Sequence, residues 1–305
     1  MQMNGEPNGI LNLKNTCYIN SVLQLLSLCP ELTRLLENTQ DPSSEFLNLL
    51  FETLTSLHNG TGKTIEPKAF VQSSFDTFPN FLPYKQQDSL EYINYVFSKI
   101  FEKVPSAEDL FKGKQVQRIE CLKCKRVVEA EDPFNTLGIP IPRHAQTSFP
   151  SVLFFSSLFC DQSSEFSLED CLNQYFSCQK RALMHCSLCG EEKPQVLSEH
   201  IQFSSQYLII YLKRSTGSFW NPKILTPVKP PQYFPSSLLT PNDKSNYRLF
   251  GLIEHSSYLS AKWGHYTCYI LKGHSWFHIS DSKVQKVSWQ QVSQAQAYLM
   301  LFKRL

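Results

Sequence analysis

The chain has no segment apolar enough to suggest a membrane helix. Its longest apolar runs, around Leu23–Leu28 and Val152–Phe159, fall well short of the roughly 20 residues required. The opening MQMNGEPNGI has neither a basic region nor an apolar core, so no secretory leader is expected there. A surplus of charge is missing too: the formal net charge is +2, and no basic cluster is interleaved with aromatics. That removes the bulk electrostatic pull toward nucleic acid or an anionic membrane. Internal repeats and low-complexity tracts are also absent, so a repeat array is not expected. Charged residues make up only 18% against 42% hydrophobic, the balance of a soluble globular chain rather than a disordered one. A cytoplasmic or nuclear protein, monomeric by default, fits these absences. At 305 residues the chain can bury one large core or two ordinary ones.

What the chain does have is cysteine, ten in all. Four fall into C-x-x-C pairs, Cys121/Cys124 and Cys186/Cys189. Without a leader, that spacing favours a metal over disulfides. C-x-x-C followed by C-x-x-C-G has the look of a zinc ribbon, two knuckles on separate hairpins placing four thiolates around one tetrahedral ion. Four protein ligands leave no open position, so such a zinc is structural; no organic cofactor is called for. Cys17, Cys29, Cys160, Cys171, Cys178 and Cys268 remain, and packing is the default role for most of them.

Apolar residues recur at helical spacing from about Asn20 to Glu37, with Pro30 dividing the run into two helices. Phe46–His58 and a segment beginning near Asp88 repeat the pattern, the former ended by Asn59-Gly60. After Pro105 the texture changes to short branched and aromatic segments: Val116–Ile119, Tyr207–Leu212, Arg248–His255, Tyr266–Leu271, Ser275–Ile279 and Ala297–Lys303. One helix interrupts them at Ser167–Phe176, with Ser167 and Asp170 as a cap. The fold class is therefore α+β, a helical N-terminal lobe followed by a β-rich lobe. The aromatic stretch 148–159 is expected to be a buried strand, with an exposed patch for a partner as the alternative.

Cys17 stands just before a helix, where the positive end of the dipole and unpaired N–H groups are expected to lower a thiol's pKa. A cysteine nucleophile also needs a base and oxyanion donors, and Asn12 with the backbone at Cys17 could supply the donors. His265 follows a glycine at the start of a strand, and Ser280 and Asp281 follow a short aromatic strand, where a third group could orient the imidazole. Each feature alone is weak, since most cysteines and histidines are packing or surface residues.

Together they resemble the ubiquitin-specific protease family. The family's Cys box, G-L-x-N-x-G-N-T-C-Y-x-N-S-x-L-Q, is matched at Gly9, Asn12, Asn15, Thr16, Cys17, Tyr18, Asn20, Ser21, Leu23 and Gln24. KQQDSLEYI is similar to its Q-Q-D-A-x-E-F-L box through Gln86, Gln87, Asp88 and Glu91. SLEDCLNQYF, the second C-x-x-C with Gly190, and YLIIYLKR follow in the family's order. The His box is matched at Tyr247, Leu249, His255, Gly264, His265 and Tyr266. The resemblance implies a papain-like thumb–palm–fingers catalytic domain spanning residues 1–305. The helical thumb would run to about residue 104, and the β-rich palm would follow with fingers at about 113–215. It implies hydrolysis of the bond after the terminal Gly-Gly of ubiquitin, with Cys17 attacking, His265 as base and Asn12 at the oxyanion. Gln87, Asp88, Glu91, Gly264 and Tyr266 would contact substrate, the carboxylates facing ubiquitin's basic tail. The C-x-x-C pairs would hold a fingertip zinc.

Three departures stand out. Lys14 replaces a glycine, which is costly if that backbone needs positive φ. The loop before His265 lacks its usual early glycine and is longer. Ser280 occupies the place of the catalytic Asp or Asn; it can hydrogen-bond an imidazole but brings no charge, so Asp281 next to it is expected to matter more. Two alternatives remain: the same chemistry on a ubiquitin-like modifier, such as the interferon-induced one with two ubiquitin-like folds, or a catalytically weak ubiquitin-binding scaffold.

Overall fold

Pro30 cannot extend a helix from its N-terminal side. The first apolar repeat accordingly splits into α1 (Cys17–Leu26) and α2 (Pro30–Asn38), with Pro30 in the first turn of the second. The later repeats become α3 (Glu45–Asn59), halted at Gly60 with φ 52, and, beyond α4 (Lys68–Thr77), α5 (Ser89–Lys103). α4 carries too little apolar pattern to announce itself in sequence: Phe70 and Val71 are buried, but Ser73 and Ser74 complete its inner face. A short α6 (Pro105–Glu108) closes the helical part. These elements come from a computed structural model that describes residues 5–39, 44–142, 165–177, 180–203, 205–215, 223–257 and 264–305. The aromatic stretch 148–159 and most of the loop before Gly264 lie outside the described residues.

Two small strands, β1 (Gly9–Ile10) and β2 (Thr64–Ile65), pair in parallel beside the helices. The β-rich part runs through β3 (Gly113–Cys121), β4 (Val127–Phe134), β5 (Leu137–Pro140), β6 (Phe166–Ser167), α7 (Leu168–Ser177), β7 (Lys180–Cys186), β8 (Glu191–Phe203) and β9 (Tyr207–Lys213). It ends with β10 (Val228–Lys229), β11 (Tyr233–Pro235), β12 (Asn246–Ser256), β13 (His265–Lys272), β14 (Ser275–Ser280), β15 (Lys283–Val287), α8 (Trp289–Ser293) and β16 (Ala297–Arg304). The expected cap of α7 is present, with Ser167 and Asp170 exchanging bonds of 2.9 and 3.0 Å.

Two sheets result. β4-β3-β8-β7 form one, and β15-β14-β13-β12-β16-β9-β5, with β11 added to β12, form an eight-stranded second. In the large sheet only β5 runs parallel to its neighbour. The helical part, the large sheet and the small sheet correspond to thumb, palm and fingers. Both faces of the large sheet are covered. Tyr207, Ile209, Leu299 and Leu301 face the thumb helices, while Leu208, Ile210, Met300 and Phe302 face the core beneath α7. This is why YLIIYLK and AYLMLFKR read as nearly continuous apolar runs rather than alternating strands.

α1 is buried all round and lies against β12 and β13. Leu25 of α1 and Leu28 just after it cover Gly251, where a Cβ would stand 2.8 Å from Leu28 Cδ1 and 3.0 Å from Leu25 Cδ1. Gly251→Ala must therefore displace the Leu25 and Leu28 side chains that cover it, and overpacking of this kind costs about 1–3 kcal/mol. The expected outcome is a lower urea midpoint at unchanged m-value; unchanged stability would show that these side chains have room to shift.

Candidate active site

Cys17 is the first residue of α1 and is only 3% exposed. Its sulfur meets the backbone N–H of Tyr266, the residue after His265, which sets the thiol against the start of β13. The expected lowering of its pKa is not what the structure gives. The N–H groups of Tyr266, Tyr18 and Cys17 do pull the pKa down, but burial outweighs them and the Asp281 carboxylate adds to it, so the thiol is held above its ordinary range. A helix terminus favours thiolate only where enough solvent or counter-charge remains, and this one is enclosed.

His265 opens β13, and Ser280 closes the neighbouring β14. The antiparallel register brings them together, with His265 Nε2 2.9 Å from Ser280 Oγ. Asp281 follows in a two-residue turn at φ 54, its Oδ2 3.8 Å from the same nitrogen. That carboxylate accepts from Asn12 Nδ2 and from Asn20 Nδ2, both at 2.8 Å. Asn12 is held at its other end as well, its Oδ1 accepting from Thr16 N–H at 3.1 Å. The turn is pinned to the Cys17 side of the molecule because Ile10 N–H donates to Asp281 O at 2.9 Å. Gly9 permits that approach, since a Cβ there would lie 2.5 Å from Ser282 O. Asn12, Asp281, Ser280 and His265 thus form one connected chain of polar contacts beside Cys17.

The residues expected to meet substrate are more dispersed. Asp88 is the N-cap of α5, accepting from Leu90 N–H at 2.7 Å, and both its oxygens take the Tyr298 hydroxyl, at 3.0 and 2.9 Å. Gln87 donates to Asn80 O at 3.4 Å, and Glu91 lies exposed in the first turn of α5. Gly264 N–H donates to Gln86 Oε1 at 2.9 Å. Tyr266 is buried and stacks on His255 at 4.3 Å. His255 is itself a packed ring, its pKa pushed down to about 4 by burial and by the neighbouring charges of Lys223 and His265.

The sequence profile of the ubiquitin carboxyl-terminal hydrolases matches residues 8–302. The chain belongs to that family. Among relatives, it is 28% identical to probable ubiquitin carboxyl-terminal hydrolase 4 of Schizosaccharomyces pombe, over 93% of this chain and 56% of that protein. It is 26% identical to hydrolase 11 of the same organism, over 98% and 85%. Against mouse ubiquitin carboxyl-terminal hydrolase 17-like protein E the identity is 24%, over 98% and 55%. The chain thus spans a little over half the length of two of these relatives. The Ubp8 deubiquitinating module of SAGA bound to ubiquitin aldehyde shares the fold, with a TM-score of 0.78 at 20% identity over all of this chain and 71% of that one.

Within this hydrolase family the Lys14 departure is real in three dimensions. Lys14 and Asn15 both have φ 64. Left-handed backbone costs lysine about 1–2 kcal/mol, and its ammonium, 4.6 Å from the Tyr84 ring centre, recovers about 0.5–1 kcal/mol. The four paired cysteines also meet as expected. Their sulfurs lie within 4.8 Å of one another, and those of Cys124 and Cys186 are 3.6 Å apart. Each pair closes a hairpin knuckle: Lys125 N–H donates to Cys121 O, and Gly190 N–H to Cys186 O, both at 2.9 Å. Lys125 and Gly190 take positive φ at equivalent places. In each knuckle the first sulfur accepts the two backbone N–H groups that follow it across the turn.

Sequence reasoning did not single out Asn20 or Gln86 as site residues, although both lie in matched boxes, and nothing in the sequence pointed to Tyr298. The raised pKa of Cys17 has a direct readout. Thiolate is the reacting form, so alkylation of Cys17 by iodoacetamide, followed by peptide mass mapping, is expected to rise with pH to a midpoint above the free-cysteine value of about 8.5. A midpoint below that value would mean that the N–H groups and His265 outweigh burial.

Proposed function

We propose that this hydrolase is a thiol-dependent deubiquitinase that cleaves the isopeptide or peptide bond after the C-terminal Gly-Gly of ubiquitin. The observation that carries the reading is the His265–Ser280 contact, joined through Asp281 to Asn12, beside a cysteine at the first turn of a buried helix. With Nε2 of His265 engaged by Ser280, Nδ1 is the nitrogen free to take the proton from Cys17. The thiolate attacks the glycine carbonyl. The second N–H of Asn12 Nδ2 and the backbone N–H of Cys17 face the developing oxyanion. The imidazolium then protonates the departing lysine amine, leaving a thioester that water hydrolyses with His265 again as base.

The roles divide between the last residue of β14 and the residue after it. Ser280 orients the imidazole, while Asp281 supplies the charge that favours imidazolium and fixes Asn12. Gln87, Asp88, Glu91, Gly264 and Tyr266 are assigned to the substrate tail. Residues 1–305 act as one catalytic unit: β1 at the beginning pins the Asp281 turn, and β16 at the end reaches Asp88 through Tyr298. Ubiquitin is preferred over the two-fold modifier because the Ubp8 module of the same fold is bound to ubiquitin aldehyde. The protein is read as a monomer of the cytoplasm or nucleus.

The four-cysteine cluster fits a structural zinc ion held by Cys121, Cys124, Cys186 and Cys189. Bound there, zinc would tie the β3–β4 hairpin to the β7–β8 hairpin and take no part in hydrolysis. Metal analysis is expected to give one zinc per chain, lost together with thermal stability in Cys186→Ser. Well under one equivalent in carefully purified protein would sink the assignment.

For the chemistry, ubiquitin carrying a C-terminal electrophile is expected to add to the wild type and not to Cys17→Ala, read by intact mass. No adduct from folded protein would favour a binding scaffold, and an adduct with only the two-fold modifier would move the substrate. Asp281→Ala is expected to lower kcat/KM more than Ser280→Ala, because it removes the charge and releases Asn12 together. The reverse ranking would overturn the division of roles.

A further inference from the structure

The segment between α4 and α5 touches both sides of the active site. Phe81 anchors it, stacking on Tyr18 at 5.9 Å and meeting Tyr92 edge-on at 5.4 Å. From that anchor the chain rises to Tyr84, which is 64% exposed yet sits at φ 64. Its carbonyl accepts from Asn15 Nδ2 at 2.8 Å, and its ring receives the Lys14 ammonium at 4.6 Å. Two residues on, Gln86 holds Gly264 N–H at 2.9 Å, immediately before His265. Asp88 then caps α5 and binds Tyr298, and Ser89 meets the Tyr266 side chain.

Three non-glycine residues in left-handed backbone, Lys14, Asn15 and Tyr84, therefore contact one another across two loops distant in sequence. Strained conformations of this kind persist only where surrounding contacts over-determine them. The exposed aromatic ring is what a glycine at position 84 would lack, and the exposed ammonium is what a glycine at 14 would lack. Neither is buried, so their contribution to global stability is small. Their position matters more. Asn15 lies between Asn12 and Cys17, and Thr16, the next residue, binds Asn12 through its N–H.

We propose that Tyr84 is a positioning residue for the reaction at Cys17. Its ring and carbonyl hold the Lys14–Asn15 turn, and its loop holds Gly264 through Gln86, so that the Cys17 loop and the start of the His265 strand keep one register. The proposal rests on the Cys17–His265 reading above. It gives Lys14 a function: the ammonium that replaces glycine is the partner of the Tyr84 ring.

The test uses the full chain and ubiquitin bearing a C-terminal fluorogenic amide, with kcat and KM separated and thermal midpoints recorded. Tyr84→Phe keeps the ring and is expected to stay within about twofold of wild type, whereas Tyr84→Leu is expected to lose about three- to fivefold in kcat at little-changed KM and thermal midpoint. Lys14→Met should behave like Tyr84→Leu, and the double variant should fall no further than either single one. An unchanged kcat in Tyr84→Leu overturns the proposal. So does an equal loss in Tyr84→Phe, or a rise in KM at constant kcat, which would make Tyr84 a substrate contact. A wild type that neither turns over this amide nor forms a ubiquitin adduct fails the underlying reading instead, and the Cys17→Ala control separates the two cases.

Discussion

The Asp281 carboxylate brings together two stretches of chain far apart in sequence, residues 12–20 and the start of β13. Asn12 approaches it from the loop before α1, Asn20 from within α1, and His265 from the start of β13. It is largely withdrawn from solvent, its side chain 13% exposed, and among the described residues it has two amides and an imidazole around it in place of a lysine or arginine. A hydrogen bond to a charged group contributes about 1.5–3 kcal/mol, so two amides fix the carboxylate while leaving its charge uncompensated. That residual charge is available to an imidazolium when one forms, and it also opposes thiolate at Cys17 in the resting state. A fully neutralised carboxylate would do neither.

The enclosure of Cys17 follows from how α1 is packed. Every residue of that helix is buried, and Gly251 lets it lie directly on the sheet. Burial on this scale costs the thiolate its hydration, and three backbone N–H groups do not restore it. On the proposed reading, reactivity is thereby tied to the arrival of a base and a substrate instead of being a standing property of the thiol. The helical part and the large sheet must therefore be held in register, and that register rests on small contacts: Ile10 on the Asp281 turn, Gln86 on Gly264, and Tyr298 on Asp88.

The fingers follow a separate logic. Two hairpins present two knuckles of like geometry, one turning at glycine and the other at a left-handed lysine. Four sulfurs meet at the tip of a sheet whose outer strand β4 is exposed along almost its whole length. Such a sheet has little core of its own, and a metal ion at its tip would do for it what burial does for the palm.

Sequence alone determined the class of fold, the helix boundaries at Pro30 and Gly60, the capped helix after Ser167, and the strands that carry His265 and Ser280, because apolar period and turn chemistry are local properties. It also determined which residues could be nucleophile, base and metal ligands, because the boxes and the C-x-x-C spacing are linear patterns. Helix α4 escaped it, since serines rather than aliphatics fill part of its buried face. Only the tertiary structure decided that Cys17 is too enclosed for its helix terminus to lower its pKa. Only the structure gave the Nε2 contact to Ser280 and the amide contacts to Asp281. It alone showed Asp88 already bound by Tyr298 and Lys14 strained against Tyr84. Each of these depends on what lies across the site from a residue, and burial and long-range pairing are set by the packing of distant segments rather than by neighbours along the chain.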